Sequence, residues 1–170
     1  MNKVKQIAFI GVYVAIIIAF QTLLSSINGL ELTTLLITTA ALLFPLSTSL
    51  TIVVVYCLIQ GILYGFGDWL VVYIIYWTLI DLVSYFLRSF LRKHLILNSI
   101  LNGVYGFLLG IFFFFKTLIL YDLSSAISYY LTGLSGDIFH TIINILVTLI
   151  LYPVMARIFP KIIKIKTKKV

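Results

Sequence analysis

Three polar side chains late in the sequence could bind a solute together. Asp137, His140 and Asn144 are spaced i, i+3 and i+7, so they share one face of a helix. The carboxylate and the imidazole could also act as a general acid and base. Each residue has a structural alternative, because Asp137 could cap a helix that starts after Gly136, while His140 and Asn144 could form hydrogen bonds between helices.

A row of aromatic residues could provide flat contacts for the same solute. Trp69, Tyr73, Tyr76 and Trp77 have spacings of four, three and one, which keep them on one helical face. Such rings stack on planar heterocycles, although aromatic residues at a membrane boundary commonly form an interfacial belt. Tyr76 and Trp77 lie about two turns from the boundary, which is deeper than a belt requires.

Glu31 has the strongest case among the acidic residues for a role in binding, because it lies beside a short apolar run and needs a partner, water or a ligand. Lys116 ends another run and can reach the interface with its long side chain. Asp81 lies toward the opposite end, close to Arg88, and is interpreted as structural. The residues predicted to bind a substrate are Asn28, Glu31, Gln60, Tyr64, Trp69, Tyr73, Trp77, Lys116, Asp137, His140 and Asn144.

The sequence lacks the motifs of common catalytic and metal sites. It contains no Gly-rich phosphate loop and no HExxH sequence. Its one cysteine, Cys57, lies in an apolar run, and His94 and His140 are predicted on opposite sides of a membrane, which excludes a shared metal site. We therefore predict no enzymatic activity, no metal and no cofactor.

The composition predicts an integral membrane protein. Of the 170 residues, 62% are hydrophobic and 10% are charged, whereas about 25% are charged in soluble domains. The apolar runs are close to the roughly 20 residues that a helix needs to cross a bilayer, and they lack the alternation of membrane strands. We predict an all-α bundle of six transmembrane helices that forms one domain over residues 1–170. The predicted spans are 7–26, 30–46, 47–64, 69–87, 98–115 and 136–152.

The distribution of charge predicts the orientation of this bundle. Eleven of the twelve Lys and Arg residues lie before the first span, in the loop 88–97 or after the last span, and cytoplasmic segments retain excess Lys and Arg. Both termini are therefore predicted in the cytoplasm, with the protein in the plasma membrane. The net charge of +7 is interpreted as contact with anionic lipid headgroups and not with nucleic acid.

The segment 116–135 is predicted to be the one long connection. It is too polar for a span and too aromatic for a flexible linker. It is interpreted either as a partly helical lid over the outer face or as an interfacial segment with Tyr121, Tyr129 and Tyr130 at headgroup level.

A ridge of small side chains follows the first span. Gly11, Ala15 and Ala19 recur every four residues, and such a ridge lets another helix approach closely. That helix could belong to the same chain or to a partner.

With these features the chain resembles the substrate-binding S components of energy-coupling factor (ECF) transporters, which import vitamins. The resemblance rests on the length, the six spans and the small-residue motif AIIIA at 15–19. It extends to NGLELTTLLI at 28–37, GILYGFGDWLVVYIIYWT at 61–78 and YYLTGLSGDIFHTIINILV at 129–147. It covers most of the chain and includes no signature of a particular vitamin.

The resemblance implies a substrate-capture subunit without enzymatic activity. An S component binds a water-soluble vitamin or precursor at its outer face and docks on a transmembrane T component that carries two cytoplasmic ATPases. Gly11, Ala15 and Ala19 would then form the docking ridge. Two other hypotheses stay open: an integral-membrane enzyme that acts on a lipid or headgroup through Asp137 and His140, and a structural subunit whose aromatic residues form only a belt.

Overall fold

The computed structural model describes residues 3–24 and 30–163, with side chains as far as Lys161. This part of the chain contains helices and their connections and no strand, as the apolar runs predict. The helices are α1 (Lys3–Leu24), α2 (Thr33–Leu43), α3 (Leu46–Tyr64), α4 (Asp68–Phe86), α5 (Arg88–Leu91), α6 (Leu95–Leu120) and α7 (Leu123–Ile163). Five of these described helices are long and apolar enough to cross a membrane: α1, α3, α4, α6 and α7.

Helix α2 differs from the second span that the sequence predicts at 30–46. It has 11 residues, about 16 Å of helix, which is shorter than the roughly 20 residues of a usual span. Every residue of α2 is buried, and the guanidinium of Arg92 donates to the carbonyl oxygen of Leu42 at its C-terminal end. The Thr38 hydroxyl lies 2.8 Å from the side-chain oxygen of Asn102 on α6. Helix α2 is therefore the centre of the bundle and is enclosed by protein.

Helices α1 and α3 run parallel to each other. Near the start of both helices, the Gln6 amide donates to the Thr48 hydroxyl at 2.9 Å. Toward their other ends, the Tyr56 hydroxyl donates to the side-chain oxygen of Gln21 at 2.9 Å. Because α2 connects two parallel helices, it has to return through the bundle between them.

The first and last helices meet at one end of the bundle. Phe44, just after α2, packs on Phe9 and Tyr13 of α1 and on Phe159 of α7, with ring-centroid separations of 4.9, 5.8 and 6.3 Å. The beginning of α1 and the end of α7 therefore lie at the same end, which we call the terminal end. The turn between α6 and α7 lies at the opposite end.

Helices α6 and α7 form a long antiparallel pair, so the prediction of a long connection at 116–135 is wrong. Helix α6 continues to Leu120 and α7 begins at Leu123. The segment is helical, as the lid hypothesis allowed, but it continues the two helices and does not lie across them. Two of its aromatic residues pack on α6: Tyr129 on Phe113 with centroids 6.1 Å apart, and Tyr130 on Phe114 with centroids 5.9 Å apart.

Helix α7 starts earlier and ends later than the predicted sixth span. Asp137 lies inside this helix, so its predicted alternative role as an N-terminal cap is wrong. Asp122 takes that role, because its carboxylate accepts the backbone N–H of Ser125 at 2.8 Å. The predicted end at residue 152 precedes Pro153, but the helix continues through this proline.

A row of glycines on α6 lets α7 approach closely. A Cβ atom on Gly106 would stand 3.0 Å from the backbone oxygen of His140, and one on Gly110 would collide with the carboxylate of Asp137. Gly103 continues the same row one turn away. Glycine is required here because these positions have no space for a side chain, and the row brings the polar residues of α7 into the bundle.

Candidate binding site

Glu31 is held at the start of α2 by two neutral donors. Its Oε1 atom accepts the hydroxyl of Thr34 at 2.7 Å and the side-chain amide of Asn144 at 3.1 Å. The side chain is half-buried. Two predicted site residues that are far apart in sequence, Glu31 and Asn144, are therefore in direct contact.

The aromatic residues of α4 form a wall beside Glu31. Trp69 and Tyr73 pack edge to face at 5.2 Å, and Tyr73 and Trp77 do so at 6.1 Å. Trp77 also packs on Tyr56 of α3 at 6.0 Å. Glu31 is near enough to Tyr56 and Tyr73 for its charge to act on both hydroxyls. From Trp69 to Trp77 the wall extends about 12 Å along the helix, and Trp77 is fully buried, so its ring packs on protein and does not face lipid. We call Glu31, Thr34, Tyr56, Tyr73, Trp77 and Asn144 the Glu31 cluster.

Eight buried side-chain polar atoms have no hydrogen-bond partner in the described part of the protein, and three of them belong to predicted site residues. These three are Nε1 of Trp77, Nδ1 of His140 and Oδ1 of Asn144. Buried polar atoms are normally paired, and an unpaired one costs about 1–3 kcal/mol. The indole can only donate, the amide oxygen can only accept, and the imidazole nitrogen can do either. The three atoms are therefore suited to the polar edge of a bound solute.

A cavity of about 150 Å³ lies between α6 and α7 and is linked to the Glu31 cluster through one aromatic contact. Asp137, Phe113 and Tyr129 contribute to its lining. Phe113 also packs on Tyr73 with centroids 6.2 Å apart, so the cavity and the aromatic wall share this ring. The volume is about that of a cavity that binds one benzene molecule. The remaining lining residues are Leu109, Gly110, Tyr130 and Gly133.

Lys116, a predicted ligand-binding residue, is engaged in an ion pair. Its Nζ atom lies 2.8 Å from the carboxylate of Asp68 and links α6 to the first residue of α4. The pair lies at the rim of a larger groove of about 490 Å³ between these helices. Apart from Asp68 and Lys116, the residues that line this groove are apolar. Lys116 is therefore paired with Asp68 and not with Glu31 or Asp137.

Gln60 and Tyr56 both donate to the side-chain oxygen of Gln21 on α1. Tyr56 and Gln21 were not among the residues predicted from the sequence. The available signals were the i, i+4 spacing of Tyr56 and Gln60 and the presence of an amide in an otherwise apolar first span. Tyr64, at the end of α3, is 58% exposed, and Asn28 lies outside the described residues.

The ridge of small residues on α1 is exposed. Gly11, Ala15 and Ala19 lie on the outside of the bundle, and a Cβ atom on Gly11 would have no described atom within 4 Å. Tyr13 and Ile17, on the other face, are buried in the bundle. The hypothesis that the ridge packs on another helix of the same chain is therefore wrong for the described residues.

The chemistry of the site has to be inferred from its own side chains. Comparison of the chain with protein-family models, with curated proteins and with solved structures gave no match. Within residues 3–24 and 30–163, no group of three His, Cys, Asp or Glu side chains is placed to hold a metal ion. An acidic residue, an aromatic wall and unpaired polar atoms together suit a small planar solute with polar edges.

Proposed function

We propose that the protein is the membrane-embedded substrate-capture subunit of an ECF-type ABC importer. It binds a water-soluble vitamin or vitamin precursor at the extracellular end of the bundle. It docks on a T component that carries two cytoplasmic ATPases. Helices α1, α2, α3, α4, α6 and α7 are then its six spans, with α2 crossing inside the bundle, and both termini lie in the cytoplasm.

The observation that carries this proposal is the set of unpaired polar atoms around Glu31. Trp77 presents a donor and Asn144 an acceptor, and both atoms are buried without a partner in the described structure. A subunit with only a structural role would be more stable if apolar groups filled these positions. A solute that satisfies both atoms explains why they are there.

The exposed ridge supports the docking step. Transmembrane helices associate closely where small residues remove the steric barrier, and Gly11, Ala15 and Ala19 leave such a surface open on α1. The resemblance to S components assigns this same surface to the T component.

The basic residues support the orientation. Lys3 and Lys5 begin α1 and Arg157 lies in the last turns of α7, so these charges gather at the terminal end. Arg88 and Arg92 flank the connection from α4 to α6, which lies near the end of α2. An excess of Lys and Arg at one end favours the cytoplasmic side for that end, and the Glu31 cluster then lies toward the outside.

Purification of the full chain in detergent from cells grown in rich medium tests this function. We expect mass spectrometry to detect a stoichiometric small molecule, and a panel of water-soluble vitamins to raise the melting temperature. Trp77→Phe, which keeps an aromatic ring and removes the indole N–H, should weaken binding. Ile142→Val, which shortens a side chain on the exposed side of α7, should leave it unchanged. Absence of both a co-purified molecule and any thermal shift would contradict the proposal.

The competing enzyme hypothesis has one observation in its favour. His140 is close enough to Asp137 for the two side chains to interact electrostatically, as a general acid and base would require. This hypothesis predicts turnover of a lipid or headgroup and its loss in His140→Ala. The capture hypothesis predicts that the bound molecule is recovered chemically unchanged.

A further inference from the structure

Glu31 has no cationic partner in the part of the chain that the structure describes. It accepts hydrogen bonds from the neutral side chains of Thr34 and Asn144, and the ion pair found there joins Lys116 to Asp68. A carboxylate enclosed by a helix bundle is costly unless an opposite charge or further donors stabilise it. The surroundings of Glu31 are therefore suited to a positive group that does not come from these residues.

A second acidic residue faces the same region. Asp137 lines the cavity between α6 and α7 and is 9% exposed. No described side chain donates a hydrogen bond to its carboxylate, since Thr141 bonds only to its backbone oxygen. His140, three residues along α7, is the one basic side chain that interacts with it among the described residues. At most one positive charge thus faces two carboxylates.

The lysine that could attract an anionic ligand is already occupied. Lys116 would have to leave Asp68, at 2.8 Å, in order to bind a carboxylate or a phosphate. Such a move would leave Asp68 without its partner. The other described Lys and Arg residues lie toward the terminal end of the bundle, far from the Glu31 cluster; they are Lys3, Lys5, Arg88, Arg92, Lys93, Arg157 and Lys161.

The aromatic wall also favours a positively charged ligand. Trp69, Tyr73 and Trp77 pack edge to face, an arrangement that presents ring faces as well as ring edges. Ring faces carry the negative part of the aromatic quadrupole and attract cations, and tryptophan does so most strongly. Carboxylates and ring faces together therefore disfavour an anion.

We infer that the ligand of this site is a small planar nitrogen heterocycle that carries a positive charge or an amino group, and not a carboxylate or phosphate anion. Glu31 receives the charged or amino nitrogen, and the aromatic wall covers the ring. The indole N–H of Trp77 donates to a ring nitrogen or a carbonyl oxygen of the ligand. The inference rests on the proposed capture function and specifies its substrate class.

Matched probes that share a ring and differ in charge test this inference. Pyridoxamine and 4-pyridoxic acid form one such pair, and tryptamine and indole-3-acetate form another. We expect calorimetric titration of the purified full chain to show that each amine binds at least about tenfold more tightly than its acid, because charge-assisted hydrogen bonds are the stronger ones.

The Glu31→Gln variant should remove this preference. Glutamine keeps the oxygen that Thr34 and Asn144 bond to, so the fold should be retained and a melting curve verifies it. Asp122→Asn also removes one negative charge, but at the turn between α6 and α7, and this variant should still bind the amines more tightly than the acids. Trp77→Phe should weaken the amine and the acid alike, which gives a second variant that does not depend on charge.

The outcomes distinguish this inference from the proposed function. Tighter binding of the acids, or a preference that survives Glu31→Gln, would overturn the inference and leave the capture function intact. If no probe binds but a small molecule co-purifies, an anionic structure for that molecule would overturn the inference and a cationic or amino heterocycle would support it. Failure of every probe together with the absence of any co-purified molecule would overturn both.

Discussion

The backbone oxygen of His140 lies 3.0 Å from the position that a Cβ atom on Gly106 would occupy. Because the contact is with backbone, α7 would have to move to admit a methyl group. We expect Gly106→Ala to destabilise the protein by roughly 1–3 kcal/mol, as overpacking does.

Gly133 provides the matched control for this prediction. It lies in α7 with no atom within 4 Å of an added Cβ, so Gly133→Ala should be neutral or stabilise the helix by up to about 1 kcal/mol. Thermal unfolding in detergent measures both variants. Equal effects on the two melting temperatures would contradict the close packing of α6 and α7.

Asp122 should make the start of α7 sensitive to acid. Its carboxylate accepts the backbone N–H and the hydroxyl of Ser125 at 2.8 and 2.9 Å, and these bonds lower the pKa of Asp122 below its ordinary value of 3.8. Because the folded pKa is the lower one, the cap stabilises the helix above about pH 4, and this contribution is lost as the pH falls through the folded pKa.

Amide hydrogen exchange near residue 125 measures this effect. After correction for intrinsic rates, we expect protection to decrease from about pH 6 to about pH 3 in the unmodified protein. Asp122→Asn keeps a good capping side chain without a titrating group, so its protection should not change with pH. The same pH dependence in both proteins would rule out the cap as its source.

Asp81 should tolerate replacement by its neutral analogue. The sequence placed it near Arg88, but Arg88 packs over the ring of Tyr85, and the partner of Asp81 is Ser49 at 3.0 Å. The Ser49 hydroxyl also lies 3.2 Å from the backbone oxygen of Leu46, which can only accept. The single proton of the Ser49 hydroxyl is therefore shared between two acceptors in a three-centre hydrogen bond.

Two variants at position 81 test whether the hydrogen bond from Ser49 or the charge of the carboxylate is required. The side-chain oxygen of the Asp81→Asn variant can accept the Ser49 hydroxyl in the same way, so we expect a melting temperature close to that of the original protein. Asp81→Ala removes the buried partner and should cost about 1–3 kcal/mol. A loss in the Asn variant as large as that in the Ala variant would show that an acceptor oxygen alone does not replace Asp81.

Bulk on the exposed ridge should block docking without affecting ligand binding. Ala15 lies outside the bundle, so Ala15→Phe fits the isolated subunit but closes the surface that a second helix would approach. We expect co-purification with the T component and the ATPases to be lost while the thermal shift with ligand remains. Ile142→Phe adds bulk at an exposed site on α7 and should still assemble. Assembly of the Ala15→Phe protein would exclude this face as the docking surface.

The sequence predicts the long helices that face lipid because hydropathy reports on lipid contact. The predicted spans 47–64 and 69–87 agree with α3 and α4 to within one residue at each end. Helix α2 was harder to predict, because protein encloses it and hydropathy does not record which neighbour does so. Its threonines are acceptable only after other helices have packed around them. The segment 116–135 was predicted as a connection because it is polar, yet it is helical although most of it is exposed.

In the candidate site, too, some features could be predicted from the sequence and others could not. The types and helical spacing of Trp69, Tyr73 and Trp77 predict a single aromatic face, and the structure has that face. The bond between Asn144 and Glu31 could not be predicted, because it depends on how closely α7 approaches the bundle through the glycines of α6. The pairing of Lys116 with Asp68 likewise requires knowledge of which helix ends meet.

The shortness of α2 has a consequence for biogenesis. A ribosome delivers this segment to the insertion machinery before α3, α4, α6 and α7 exist, yet its 11 residues include four threonines and have no lipid-facing side. Lipid alone cannot stabilise such a segment, so we expect it to stay at the translocon or at the membrane surface while the rest is translated. Arrested chains that end before α6 should leave it open to protease, and the binding site would then form only after α7 has been made.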